Sequence, residues 1–167
     1  MQDDLKRLYT ETDAVGLASL VRAREVSAAE LAEVAIAAIE EVDPALNAVV
    51  IRTFDLAREM AARQPDGPFG GVPFLLKNIG SQWEGTRLTS GLGYTGSVVC
   101  ASDSEMVRRI RRAGFVLLGR TNTPEMGWSI GTEPRLYGPT LSPFDPSVTP
   151  GGSSGGAAAA VAARMVP

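Results

Sequence analysis

An α/β fold, with helices packed on a sheet, is predicted for this 167-residue chain by three features. The first third carries apolar residues at three- and four-residue spacing, the mark of amphipathic helices. Two short apolar runs, PFLLKN (73–78) and FVLLGR (115–120), read as buried strands. Between them, residues 104–113 form a helical pattern closed by Gly114 and followed at once by the second run, which is a helix–glycine–strand unit.

The elements follow in order. Val15 to Val21 has a short helical pattern that pairs as a helical hairpin with the next one. That second helix opens at Ser27, where S-x-x-E with Glu30 is a capping box. Its stripe is Leu31, Val34, Ala35, Ala38, Ile39 and Val42, and Pro44 marks its end. LNAVVIR (46–52) reads as a strand and Phe54 to Arg63 as a helix, before a Pro/Gly break at 64–71. Residues 79–103 make a glycine-bearing loop too long for a plain connection, so it is expected to be functional or packed against other structure. A proline-punctuated irregular stretch after residue 121 leads to GGSSGG and an alanine-rich helix. No internal repeat or flexible linker divides the chain.

Composition removes several function classes. Hydrophobic residues at 44% and charged residues at 21% suit a globular domain. A net charge of −3 argues against nucleic-acid binding. The Arg108, Arg109, Arg111 and Arg112 cluster lies on a helical pattern with Glu105 and reads as a solvated face. No apolar run reaches membrane-spanning length and the polar start lacks the features of a signal peptide, so a cytoplasmic protein is expected. Cys100 is alone, which leaves no internal disulfide and no zinc spacing, and reads as inert filler. The chain has no histidine, which excludes a complete Ser-His-Asp triad and histidine-bound metals. Proton handling would fall to Lys, Asp, Glu or Tyr; no cofactor and no metal are expected.

Three segments could carry chemistry. Lys77 ends an apolar strand: it either reaches solvent or is desolvated, with a pKa low enough to leave some neutral amine as a base. PGGSSGG (150–156) is either a flexible loop or a turn whose backbone N–H groups, at a helix start, face developing negative charge. GRTNTPEMGWS (119–129) follows a strand, where open α/β sheets form ligand crevices, or is an ordinary polar turn.

Taken together, GGVPFLLKN (70–78), AGFVLLGRTNTPEMG (113–127), YGPTLSPFDPS (137–147) and TPGGSSGGAAAAVAARMVP (149–167) resemble the amidase-signature family in order and spacing. The similarity runs from about Ser27 onward. It implies an amidase-signature-like α/β fold, a mixed sheet covered by helices, of which residues 1–167 are the N-terminal portion. It also implies a Ser-cisSer-Lys mechanism. Lys77 matches the catalytic lysine acting as base, and Ser153 matches the serine after a cis peptide bond that relays a proton and lies against substrate. Gly127 matches a position lining the acyl pocket. The family's nucleophilic serine lies on a further Gly-Gly-Ser turn, and no residue of this sequence matches it.

The implied activity is hydrolysis of a small-molecule carboxamide to a carboxylic acid plus ammonia or an amine, with this chain inactive alone. Related readings are the A subunit of a tRNA-dependent amidotransferase, complementation by a second chain, and a non-catalytic assembly module that self-associates. The sequence departs from the family pattern at Asn78, where aspartate is common, at Pro134, a frequent asparagine, and at Arg164, where glycine is frequent.

Overall fold

The computed structural model describes residues 2–167. Three helices come first: α1 (Gln2–Glu11), α2 (Ala14–Ala23) and α3 (Ala28–Leu46). They are followed by β1 (Val49–Arg52), α4 (Phe54–Ala62), β2 (Pro73–Lys77), α5 (Glu105–Arg112), β3 (Val116–Thr121) and α6 (Gly155–Ala162). The sheet has the order β1-β3-β2, with β1 antiparallel and β2 parallel to β3, so it is mixed as the resemblance implied. All six residues of the central strand β3 are buried.

The capping box at the start of α3 is formed in full. Ser27 Oγ accepts from the Glu30 N–H at 3.1 Å, and Glu30 Oε2 accepts from the Ser27 N–H at 2.8 Å. The Ser27 hydroxyl, donating to Glu30 Oε2 at 2.7 Å, and then the Ser27 N–H hold the Glu30 carboxyl below its usual range. The expected stop at Pro44 is corrected: α3 runs through it to Leu46, and Asn47 ends the helix in the left-handed region with φ 53°. A proline one turn from a helix end removes only one bond, and Pro44 lies on the exposed side. The buried face of α3 is displaced from the predicted stripe: Leu31, Ala35 and Ile39 are buried, Val34, Ala38 and Val42 are half-buried, and Ala28, Ala32, Ile36 and Leu46 are buried in addition. The polar opening of the sequence forms α1, which the periodicity did not show. Tyr9 anchors it: its buried phenol donates to the Met165 carbonyl at 3.0 Å, joining the two ends of the described chain, and burial pushes its pKa far up.

The larger core takes Leu31, Ala35 and Ile39 from α3, Ala57 and Ala61 from α4, and Ala159 and Ala160 from α6. These pack on Leu75, Val116 and Leu118 of the sheet. On the other face, Leu76 and Leu117 pack with Trp83 and Val107. A bulge on β3 separates the pairs Phe74–Leu117 and Leu75–Gly119. Glycine is required at that bulge, because a Cβ on Gly119 would lie 2.2 Å from the Ile51 carbonyl oxygen.

Asp43 ties α3 to β1. Its buried carboxylate accepts from the N–H groups of Ala48 (2.7 Å) and Val49 (3.0 Å) and from Arg52 Nη2 (3.0 Å). Asp43→Ala would orphan two buried donors and is expected to cost about 3 kcal/mol in urea unfolding. A loss below about 0.5 kcal/mol would reject this role. The arginine cluster on α5 is a solvated face, as read: Arg108, Arg109 and Arg112 pair with Glu105 and Arg111 with Asp103. Cys100 is buried and free. None of the described helices is long and apolar enough to cross a membrane.

Candidate active site

The site forms where the carboxyl ends of β2 and β3 meet the start of α6. Lys77 is the last residue of β2 and pairs with Thr121 at the end of β3, while the Asn78 N–H continues the ladder to the Thr121 carbonyl at 3.1 Å. The Leu75 and Lys77 side chains leave the sheet on the face covered by α3 and α6. There Lys77 Nζ donates to Ser153 Oγ at 2.8 Å and to Ser154 Oγ at 2.9 Å. Partial burial disfavours the ammonium and pushes the Lys77 pKa below the ordinary lysine value. Among the described residues no carboxylate pairs with it. Lys77 is half-buried, with its ammonium on two serine hydroxyls.

The serine turn is shaped by close approach rather than by flexibility. The Gly152–Ser153 peptide is cis, as the resemblance implied. A Cβ on Gly152 would meet the Ser129 carbonyl oxygen at 2.8 Å, and one on Gly155 would meet Thr132 Oγ1 at 2.4 Å. A Cβ on Gly156 would meet the backbone of Asn122 at 2.4 Å. The turn is tied down by side chains of the preceding irregular stretch. Thr123 Oγ1 donates to the Ser153 carbonyl at 3.0 Å, and Thr132 Oγ1 donates to the Gly151 carbonyl at 2.8 Å while accepting from the Gly155 N–H at 3.1 Å.

Gly127 sits beside this pair. It has φ 72°, a conformation suited to glycine, and a Cβ added there would lie 3.5 Å from Ser153 Oγ and 3.6 Å from Ile79 Cδ1. All three residues singled out in the sequence, Lys77, Ser153 and Gly127, therefore come together. Ser154 was not singled out, although its hydroxyl touches the same ammonium; its place beside Ser153 in the turn was the only signal. Asn78 does not face Lys77's ammonium. It is buried, donating through Nδ2 to Thr89 Oγ1 at 2.8 Å and accepting the Thr89 N–H through Oδ1 at 3.1 Å, so it pins the long loop to the strand end. The loop over 79–103 is thus packed by buried polar contacts, with a single bridge between Arg87 and Val99. Arg164 occupies the left-handed region with φ 57° where α6 ends, which is the physical reason glycine suits that position.

A half-buried lysine is hydrogen-bonded to the serine that follows a cis peptide, at the carboxyl end of a mixed sheet on an α/β scaffold. The Amidase family matches residues 30–167, and the chain belongs to that amidase-signature family. It is 46% identical over 157 residues to the 6-aminohexanoate-cyclic-dimer hydrolase of Paenarthrobacter ureafaciens, covering 93% of this chain and 32% of that protein. It is 41% identical over 161 residues to the lipoamidase of Enterococcus faecalis, covering 95% and 22% respectively. A solved bacterial aryl acylamidase superposes with a TM-score of 0.89 at 35% identity, over 93% of this chain and 34% of that one. The chain thus spans about a third or less of the length of these relatives.

Proposed function

We propose that this chain carries the lysine–serine part of the proton-transfer apparatus of an amide hydrolase that converts a small carboxamide to a carboxylic acid plus ammonia or an amine. The observation that carries the reading is the 2.8 Å contact between Lys77 Nζ and Ser153 Oγ, made across 76 residues of sequence. Neutral Lys77 takes the proton of Ser153 as Ser153 takes the proton of the attacking hydroxyl. The attacking oxygen bonds to the carbonyl carbon, the C–N bond breaks, and the proton returns through Ser153 to the departing nitrogen. Water then releases the acid by the same relay. In this reading Lys77 and Ser153 relay the proton, and neither is the attacking hydroxyl. A cytoplasmic location and the absence of a cofactor belong to the same reading.

The test is the pH dependence of ammonia release from carboxamides by the protein that carries this sequence in its native cells. Desolvation disfavours the Lys77 ammonium, so the base form gains population as pH rises, beginning below the range of an ordinary lysine. The rate is expected to rise with pH through that lowered value and then level off. Ser153→Ala should lower it by about 10²-fold or more at the plateau. Release that keeps its rate in Ser153→Ala rejects the relay.

The exposed apolar side chains Trp128 (87%), Ile130 (91%) and Phe144 (86%) favour a second reading, a non-catalytic module that self-associates. Lys77-dependent ammonia release contradicts it. Amidotransferase A subunits of Methylococcus capsulatus and Acidothermus cellulolyticus are 39% and 40% identical, against 46% for the cyclic-dimer hydrolase, and hydrolysis remains the first reading.

A further inference from the structure

Behind the site, on the other face of the sheet, lies a charge that the proton relay does not use. Arg120 pairs with Leu76, one step before the Lys77–Thr121 pair, so its side chain leaves β3 opposite to that of Lys77. It is fully buried, and among the described residues no carboxylate pairs with it. A guanidinium stays protonated under such burial, and taking it from water without a counter-ion is costly, so its hydrogen bonds must offset the desolvation.

Those bonds all go to the segment that follows Lys77. Arg120 Nη1 donates to the Ser81 carbonyl and to Ser81 Oγ, both at 2.7 Å, and Nη2 donates to Thr86 Oγ1 at 3.0 Å. Ser81 Oγ in turn donates to the carbonyl of Lys77 itself. Donation from a cation to the Ser81 oxygen polarises its hydroxyl and strengthens the bond that the hydroxyl makes onward. The buried charge therefore ends, through one serine, on the peptide of the lysine.

We propose that Arg120 and Ser81 are positioning residues for Lys77, clamping its peptide from the far face of the sheet so that Nζ stays between the Ser153 and Ser154 hydroxyls. Lysine has a flexible four-carbon stem and a strongly hydrated head. With its carbonyl released, the strand end can shift and the stem can carry the ammonium outward to water. The inference rests on Lys77 acting as the base, but its test needs no turnover.

The sequence contains only two lysines, Lys6 and Lys77, so side-chain NMR of the chain with isotope-labelled lysine gives two signals, to which Arg120→Lys adds a third that is recognised by its absence from the wild type. The Lys77 signal is titrated in the wild type, in Ser81→Ala and in Arg120→Lys, with circular dichroism confirming the fold. The wild type is expected to titrate below the ordinary lysine value, and both variants to move most of the way back to it. Ser81→Ala removes one hydroxyl and leaves the Arg120 bond to the Ser81 carbonyl, so it decides the question if Arg120→Lys fails to fold. A low wild-type midpoint that neither folded variant moves overturns the positioning role and leaves the base role standing. A wild-type midpoint at the ordinary value overturns both.

Discussion

Lys77→Met is expected to lower ammonia release from a carboxamide by about 10²–10⁴-fold, the contribution a positioned base makes. Methionine keeps an unbranched stem of similar length for the half-buried position at the end of β2, so the loss would report the amine rather than the packing. The substitution removes both hydrogen bonds to the serine turn, at 2.8 and 2.9 Å. The comparison to make is kcat/KM for Lys77→Met against wild type over a range of pH. A base that is gone takes the rising limb of the profile with it. A variant that retains the rate within about threefold, or retains the limb, would show that some other group accepts the proton.

Gly156→Ala is expected to destabilise the fold by about 3 kcal/mol or more, near the upper end for overpacking. The added methyl would sit 2.4 Å from the Asn122 nitrogen, 2.6 Å from its carbonyl oxygen and 2.8 Å from the Ala48 carbonyl oxygen. All three are backbone atoms that no rotamer change can move. The Asn122 N–H bonds to the Ala48 carbonyl at 2.8 Å, so yielding there would also break the junction between β1 and the segment after β3. Denaturant unfolding measures the cost. A midpoint within experimental error of wild type would mean that α6 can lift away from β3, and that the serine turn is held less firmly than its contacts indicate. Alanine is a better helix former than glycine, so local propensity predicts the opposite sign. The outcome therefore separates packing from propensity.

Much of the fold was legible because its local rules agree. The Ser27–Glu30 box and the helix–Gly114–strand unit each act within a few residues, and each is where capping and periodicity place it. Local rules failed at α1. Its outward residues are polar, and its anchor, Tyr9, contributes through a contact 156 residues away. They failed also at Pro44, because the residue that ends α3 is Asn47, held by Asp43.

By itself the sequence determined the residue types available for chemistry: no histidine, one desolvatable lysine at a strand end and a glycine–serine turn before a helix. The family resemblance assigned roles to Lys77, Ser153 and Gly127. Only the tertiary structure decided that Ser154 shares the ammonium, that Asn78 turns to Thr89, and that Arg120 reaches Lys77 from behind through Ser81. The reason is register. Side chains alternate across a strand, so the bulge at Gly119 moves every later residue of β3 by one place against β2 and sets which face each side chain occupies. The close approach that requires glycine there comes from the Ile51 carbonyl oxygen, on a strand almost 70 residues earlier, a contact that no local pattern encodes.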